Sequence, residues 1–166
     1  MAGTGMAGWR GTSAPARSPP AEQSQSSGRM LPAPGRLLPG PFYAEVLAVI
    51  DGDTLEARVT VWLGQTVETR VRLRGIDAAE LSSDCQEERD LARTSQAALQ
   101  RLVSAGAIYL ADITRDKYGG RVVATVLDGN GTDVGTHMLR EGYAIAYDGG
   151  RRQAWCDAGP MLTARR

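Results

Sequence analysis

Apolar residues are sparse and without period up to about residue 40, and beyond that point they fall into short, regular runs. Ala44 to Ile50 is an apolar stretch that stops at Asp51-Gly52-Asp53, a turn tripeptide. Leu55, Ala57, Val59 and Val61 then alternate with Glu56, Arg58 and Thr60. That period of two marks a half-buried strand, because successive side chains on a strand point to opposite faces. After a turn near Gly64-Gln65, Val67, Thr69, Val71 and Leu73 alternate with Glu68, Arg70, Arg72 and Arg74. The pattern predicts three antiparallel strands joined by short turns.

The period then changes. Ser83-Asp84-Cys85-Gln86 has capping-box spacing, Glu87 and Glu88 suit the first turn of a helix, and Leu91, Ser95, Ala98, Leu99 and Leu102 share one face before Gly106. A helix is expected over about 85–104. Two more strands, Ala107 to Ile113 and Arg121 to Leu127, flank the turn Asp116-Lys117-Tyr118-Gly119-Gly120. A short helix follows from about Asp133 to Glu141, with Val134, Met138 and Leu139 inward and Gly142 as terminator. This order suits a mainly β fold with helices (α+β), a five-stranded Greek-key barrel of the OB-fold type.

A chain of 166 residues supports one domain with a real core. Residues 1–42 are rich in Gly, Pro, Ser, Ala and Arg and bury too little to offset ordering entropy, so they are expected to form a disordered leader. The domain is expected over 43–156 and a short tail over 157–166. The whole chain has no formal net charge, yet the domain holds 13 basic and 17 acidic residues, a balance of −4. Phosphate neutralisation by Lys and Arg supplies most non-specific affinity for nucleic acid, so any such binding must rest on a local site.

No run of about 18 apolar residues is present, which predicts no membrane span. Leu31 to Phe42 is interrupted by Pro32, Pro34, Pro39 and Pro41, so it does not read as the apolar part of an export signal. Cys85 and Cys156 are too few and too far apart for a zinc site of the usual paired spacing.

Taken alone, Asp51-Gly52-Asp53-Thr54 is a hairpin turn, and arginines on the polar face of a strand, such as Arg72 and Arg74, are ordinarily solvated. A second group of oxygens changes that picture. Gly75-Ile76-Asp77-Ala78-Ala79-Glu80 puts two more carboxylates just beyond the third strand. Carboxylates, backbone carbonyls and water are the ligands that hard divalent cations take, so Asp53 and Asp77 can share one ion if the barrel makes them neighbours. Guanidiniums match phosphate oxygens bidentately, which gives Arg72 and Arg121 a purpose beside such an ion.

Three segments carry a resemblance: Val49-Ile50-Asp51-Gly52-Asp53-Thr54-Leu55, Arg72-Leu73-Arg74-Gly75-Ile76-Asp77-Ala78-Ala79-Glu80 and Asp116-Lys117-Tyr118-Gly119-Gly120-Arg121. In order and spacing they resemble the signature segments of the thermonuclease (staphylococcal nuclease-like) family, over roughly residues 44–147. The resemblance implies a Ca²⁺-dependent endonuclease that hydrolyses phosphodiester bonds of DNA or RNA by water attack, leaving a 3′-phosphate and a 5′-hydroxyl. It implies Asp53, Asp77 and the Ala78 carbonyl as calcium ligands, with Asp51 behind them. Glu80 matches the residue proposed to activate water, Arg72 and Arg121 the two that hold the scissile phosphate, and Lys117 and Tyr118 residues that contact the nucleotide. Tyr147 is a further candidate for stacking on a base or sugar, against simple packing.

Three departures from the family pattern stand out. Ala79 replaces a proline, which is expected to loosen Glu80. Two glycines precede Arg121 where the family has one. The long third helix of the prototype is shortened or absent, since little sequence follows Tyr147. A disulfide between Cys85 and Cys156, with Trp155 as an apolar plug, is one candidate for its replacement; two unpaired thiols are the other. His137, the single histidine, lies away from all three segments and is expected to have no catalytic part.

The leading expectation is an enzyme, monomeric, with DNA or RNA as substrate and no membrane. The alternative is a catalytically weak OB-fold module that binds single-stranded nucleic acid or a protein. Retention of Asp53, Arg72, Asp77, Glu80 and Arg121 favours the enzyme. The family and the cysteine pair favour a secreted or periplasmic location, against the missing export signal.

Overall fold

The computed structural model describes residues 1, 3, 37–150, 152, 155 and 156. The chain divides into an N-terminal unit, Met1–Leu31, of which Met1 and Gly3 alone are described, and a unit spanning Pro32–Arg166. The expected leader and the tail 157–166 therefore lie almost wholly outside the described residues.

Each alternating run becomes a strand. β1 (Phe42–Asp51), β2 (Thr54–Trp62) and β3 (Gln65–Leu73) form an antiparallel meander. β4 (Ile76–Asp77) is a two-residue strand; α1 (Gln86–Leu102), β5 (Ala107–Arg115), β6 (Arg121–Leu127), α2 (Val134–Arg140) and β7 (Ile145–Ala146) follow. β5 pairs antiparallel with both β1 and β6, and β6 runs parallel to β3. The five long strands thus close in the order β1-β2-β3-β6-β5. This is the expected OB-fold barrel. Pairing begins slightly before the expected boundary at residue 43, because Leu38 bridges Ile113 and β1 opens at Phe42.

The barrel core is Leu55, Ala57, Val59, Val71, Leu73, Ile108, Leu110, Ala124 and Val126, closed at one end by Leu99 of α1 and Met138 of α2. Sequence alternation overstates this core at one place. Val61 and Val67, expected inward, are 41% and 50% exposed, because the β2–β3 hairpin runs beyond the barrel and ends in the exposed Trp62 and Leu63. A register irregularity between Thr60 and Trp62 marks the change.

The expected capping box does not form. Cys85 occupies the N-cap of α1 without a side-chain cap. Ser83 instead donates its hydroxyl to Glu88 (2.7 Å), and the other Glu88 carboxylate oxygen accepts the Glu80 amide (3.2 Å). α1 ties this turn to the barrel, and it also grips β1. Gln96 Nε2 donates to the carbonyls of Val49 (3.2 Å) and Ile50 (2.9 Å), just before the Asp51 turn. At α2 the expected signals operate: Asp133 accepts the Thr136 amide (3.1 Å), and Gly142 takes a positive φ of 74° after the last turn.

β4 and β7, which no periodicity announced, pair antiparallel and fix the chain on either side of the cleft described below. Among the described residues no third helix follows. Trp155 packs on Ala79 and Ala92, with Leu81, Leu91 and Ile145 around it, and Cys85 and Cys156 are brought together as disulfide partners with Cα atoms 6.1 Å apart. The cross-link closes a loop of sequence separation 71. In the chain-entropy model that is worth about 4 kcal/mol.

Gly52 sits in the turn for reasons of space. A Cβ there would lie 2.4 Å from Ser95 Cβ and 2.8 Å from Ala78 Cβ, so the Asp51–Asp53 turn is pressed against α1. Gly52→Ala is therefore expected to lower stability by about 1–3 kcal/mol, read as a lower urea midpoint; an unchanged midpoint would mean the contact relaxes freely. Thiol titration of the denatured, unreduced protein should find no free thiol, and two would refute the cross-link.

Candidate active site

An open cleft of about 1050 Å³ lies at the end of the barrel where the three signature segments meet. Asp51 and Thr54 from the first turn, Arg70 and Arg72 of β3, Arg74 just past it, Glu80, the 115–121 turn, residues 147–150 and Arg152 line it. Seven of the lining residues are basic and four acidic. The acidic domain therefore presents a locally positive cleft, the arrangement a polyanionic ligand requires.

The two aspartates expected to share an ion are neighbours, and both are buried (Asp53 3% exposed, Asp77 0%). Asp53 accepts the Thr54 hydroxyl (2.7 Å) and the Ala78 amide (3.1 Å), which locks the first turn to the second segment. Arg72 joins them through its two terminal nitrogens: Nη1 lies 2.8 Å from Asp53 and Nη2 2.8 Å from Asp77. Nη2 also donates to the Ile76 carbonyl (3.2 Å), and the guanidinium stacks over the ring of Tyr147, 5.4 Å from its centroid. Arg72 is thus an organiser of the carboxylates as well as a cleft residue. Tyr147 holds that arginine in place, with its hydroxyl donating to the Gly150 carbonyl (2.8 Å).

Arg74 is exposed, yet its guanidinium is bound rather than free. It donates to the carbonyls of Asp112 and Val123 and to the Thr114 hydroxyl (2.8 Å), stitching β3 to β5 and β6. Arg121 lies on β6, opposite Arg70 in the parallel register, and faces the same cleft as Arg72. The extra glycine before it takes φ 79°, and Arg121 Nε is held by Asp116 at 2.5 Å. Its terminal nitrogens have no hydrogen-bond or ion-pair partner among the described residues. Lys117 and Tyr118 stand beside it, with the Lys117 ammonium 5.3 Å and the Arg121 guanidinium 5.7 Å from the Tyr118 ring centroid.

Glu80 follows Ala78 and Ala79 at the rim of the cleft. Ala78 and Ala79 are buried, and Glu88 holds the Glu80 amide. The residue that sequence reading missed is Arg152. Its Nε donates to both Asp77 oxygens (3.0 and 3.3 Å), Nη2 donates to the Ala78 carbonyl (3.2 Å), and Nη1 pairs with Glu80. The one available signal was a basic pair, Arg151-Arg152, between a Gly-Gly turn and Cys156.

Electrostatics follow from this crowding. Asp51 is raised above the ordinary carboxyl value by burial and by repulsion from Asp53 and Glu80, opposed by the Leu81 amide and Arg152. Partial burial disfavours the charge on Arg152, but bonding and attraction to Asp77 and Glu80 prevail and raise its pKa. No three carboxylate, cysteine or histidine side chains among the described residues enclose a cation by themselves. The donor set nevertheless fits calcium chemically. Oxygens of Asp77, Ala78 and Glu80 already gather around one cation, the Arg152 guanidinium.

A closed five-stranded barrel with this cleft defines a nuclease-like OB-fold of the nucleic-acid-binding kind. The chain belongs to the staphylococcal nuclease homologue family, whose pattern it matches over residues 70–158. The match takes in Arg72, Asp77, Ala78, Glu80, Arg121 and Arg152, while Asp51 and Asp53 precede it. No curated protein is similar enough to match the chain.

Burial opposes ionisation of Asp116, but hydrogen bonds from Arg121 and the Tyr118 and Lys117 amides hold its pKa below the ordinary 3.8. A carboxyl depressed in the folded state adds stability that is present above pH 3.8 and lost as pH falls through its folded value. Asp116→Asn should therefore lose less of its unfolding temperature than the parent between pH 5 and pH 2 (about this range). Parallel acid limbs for the two proteins would refute it.

Proposed function

We propose that this domain is a calcium-dependent endonuclease that hydrolyses phosphodiester bonds of DNA or RNA as a monomer. The observation that carries the reading is the convergence of Asp53, Asp77 and the Ala78 carbonyl just beneath the wall of a cleft lined by Glu80, Arg72 and Arg121. In this reading Asp53, Asp77 and the Ala78 carbonyl hold calcium, with Asp51 behind them. Bound there, calcium supplies positive charge against the negative charge that grows on the phosphate in the transition state.

The protein's own groups account for the remaining requirements. Arg121, anchored by Nε on Asp116, keeps its terminal nitrogens for the phosphate oxygens, and Arg72 lies across the cleft on the carboxylates. Glu80 accepts a proton from the attacking water as its oxygen bonds to phosphorus. The bond to the 5′ oxygen breaks, and the departing oxygen takes a proton, leaving a 3′-phosphate and a 5′-hydroxyl. Lys117, Tyr118 and Tyr147 border the space the nucleotide fills.

The test is cleavage of single-stranded DNA and RNA in calcium, magnesium or chelator by the parent, Arg121→Ala and Glu80→Gln. Calcium-dependent cutting is expected, with Arg121→Ala slower by on the order of 10² to 10³ and Glu80→Gln slower as well. Arg72→Ala is less informative, since it also leaves the buried Asp53 without its counter-charge and Asp77 with Arg152 alone, a loss of about 3–5 kcal/mol. A folded parent that binds an oligonucleotide but does not cut it would replace this reading with the single-strand-binding module.

A further inference from the structure

Arg152 is a cleft residue that the nuclease reading leaves without a role, and it sits on the carboxylates of that reading. Its guanidinium spans two of the three groups that the reading gives to calcium, Asp77 through Nε and the Ala78 carbonyl through Nη2, and reaches the water-activating Glu80 through Nη1. Asp77 has no exposed surface, so an ion reaching it from the cleft meets Arg152 first. A divalent cation that takes the Ala78 carbonyl and the cleft-facing lone pairs of Asp77 and Glu80 competes with the Arg152 guanidinium for them, whereas Arg72, which shares Asp77 Oδ1, leaves Glu80 and the Ala78 carbonyl alone.

The chain around Arg152 is anchored at both ends. On one side the Tyr147 amide donates to the Gly75 carbonyl (2.9 Å), and the Tyr147 hydroxyl holds the Gly150 carbonyl (2.8 Å). On the other side Trp155 is buried on Ala79 and Ala92, and Cys156 is joined to Cys85 at the start of α1. Four residues lie between Tyr147 and Arg152, a reach of at most about 17 Å. A guanidinium pushed off the carboxylates therefore stays at the cleft, at an effective concentration of about millimolar or higher.

We propose that Arg152 is a tethered competitor for the cation seat: it neutralises Asp77 and Glu80 when no divalent cation is bound, and it must swing aside before one binds. The proposal rests on the calcium seat of the nuclease reading. It makes the apparent cation affinity a property of Arg152 as well as of the ligands. Arg152 is a positioning residue in this scheme, acting on the carboxylates, and it leaves Arg72 and Arg121 their own tasks.

Calcium binding by the full chain, measured by titration calorimetry without substrate, tests this directly. Arg152→Gln is expected to bind calcium at least about tenfold more tightly than the parent, because a competitor at millimolar effective concentration is gone. Arg152→Lys, which keeps the charge but cannot span three oxygens, should fall between them, and it carries the test if the glutamine variant does not fold. Thermal unfolding adds a second readout: Arg152→Gln should melt below the parent in chelator and gain more from calcium. Equal or weaker binding by both variants overturns the competition, and if the parent still cuts nucleic acid in calcium, the nuclease reading survives. Calcium binding by none of the three proteins overturns both.

Discussion

Two carboxylates buried side by side are tolerable only if positive charge is built in with them, and Arg72 is the charge that reaches both, with Arg152 adding a second on Asp77. Removing Asp53 and Asp77 from water costs several kcal/mol each unless a partner with good geometry compensates. A guanidinium is suited to the task, because its fork addresses two acceptors at fixed spacing while staying planar for the Tyr147 ring. Much of the surrounding architecture serves this contact. β3 delivers Arg72, the Gly52 turn pressed against α1 delivers Asp53, and the β4–β7 pair sets Asp77 and Tyr147 on either side.

The sequence made the barrel readable because strand periodicity and turn chemistry agreed at every long strand, and because the three segments come in family order. It was less readable where tertiary context decides. The β2–β3 hairpin alternates to its tip, but alternation reports which side a residue faces, not whether anything is packed there; hence the exposed Val61 and Val67. β4 and β7 are two residues each, too short for any period to register. Ser83 had the spacing of a cap, yet Glu88 competed for its hydroxyl and won.

At the site, residue types and order pointed to Asp53, Asp77, Glu80, Arg72 and Arg121, and the fold sets all five around one cleft or just beneath its wall. What the sequence could not convey was how the charges divide among themselves. Arg74 and Arg72 are two apart on one strand face, but one binds backbone carbonyls and the other binds carboxylates. Arg152 lies 75 residues from Asp77 and outside every local pattern, so only folding reveals the contact.

The parallel register between β3 and β6 has a kinetic consequence. Every other long-strand pairing in the barrel is antiparallel, and the β1–β2 and β2–β3 pairs are hairpins that can form locally. The β3–β6 seam must wait until α1 and β5 are in place, since joining distant segments costs loop entropy before contacts return any stability. Arg72 and Arg121 stand on opposite banks of that seam. A nascent or partly opened chain can therefore keep its hairpins and still lack the cleft, whose two banks meet only where this seam closes.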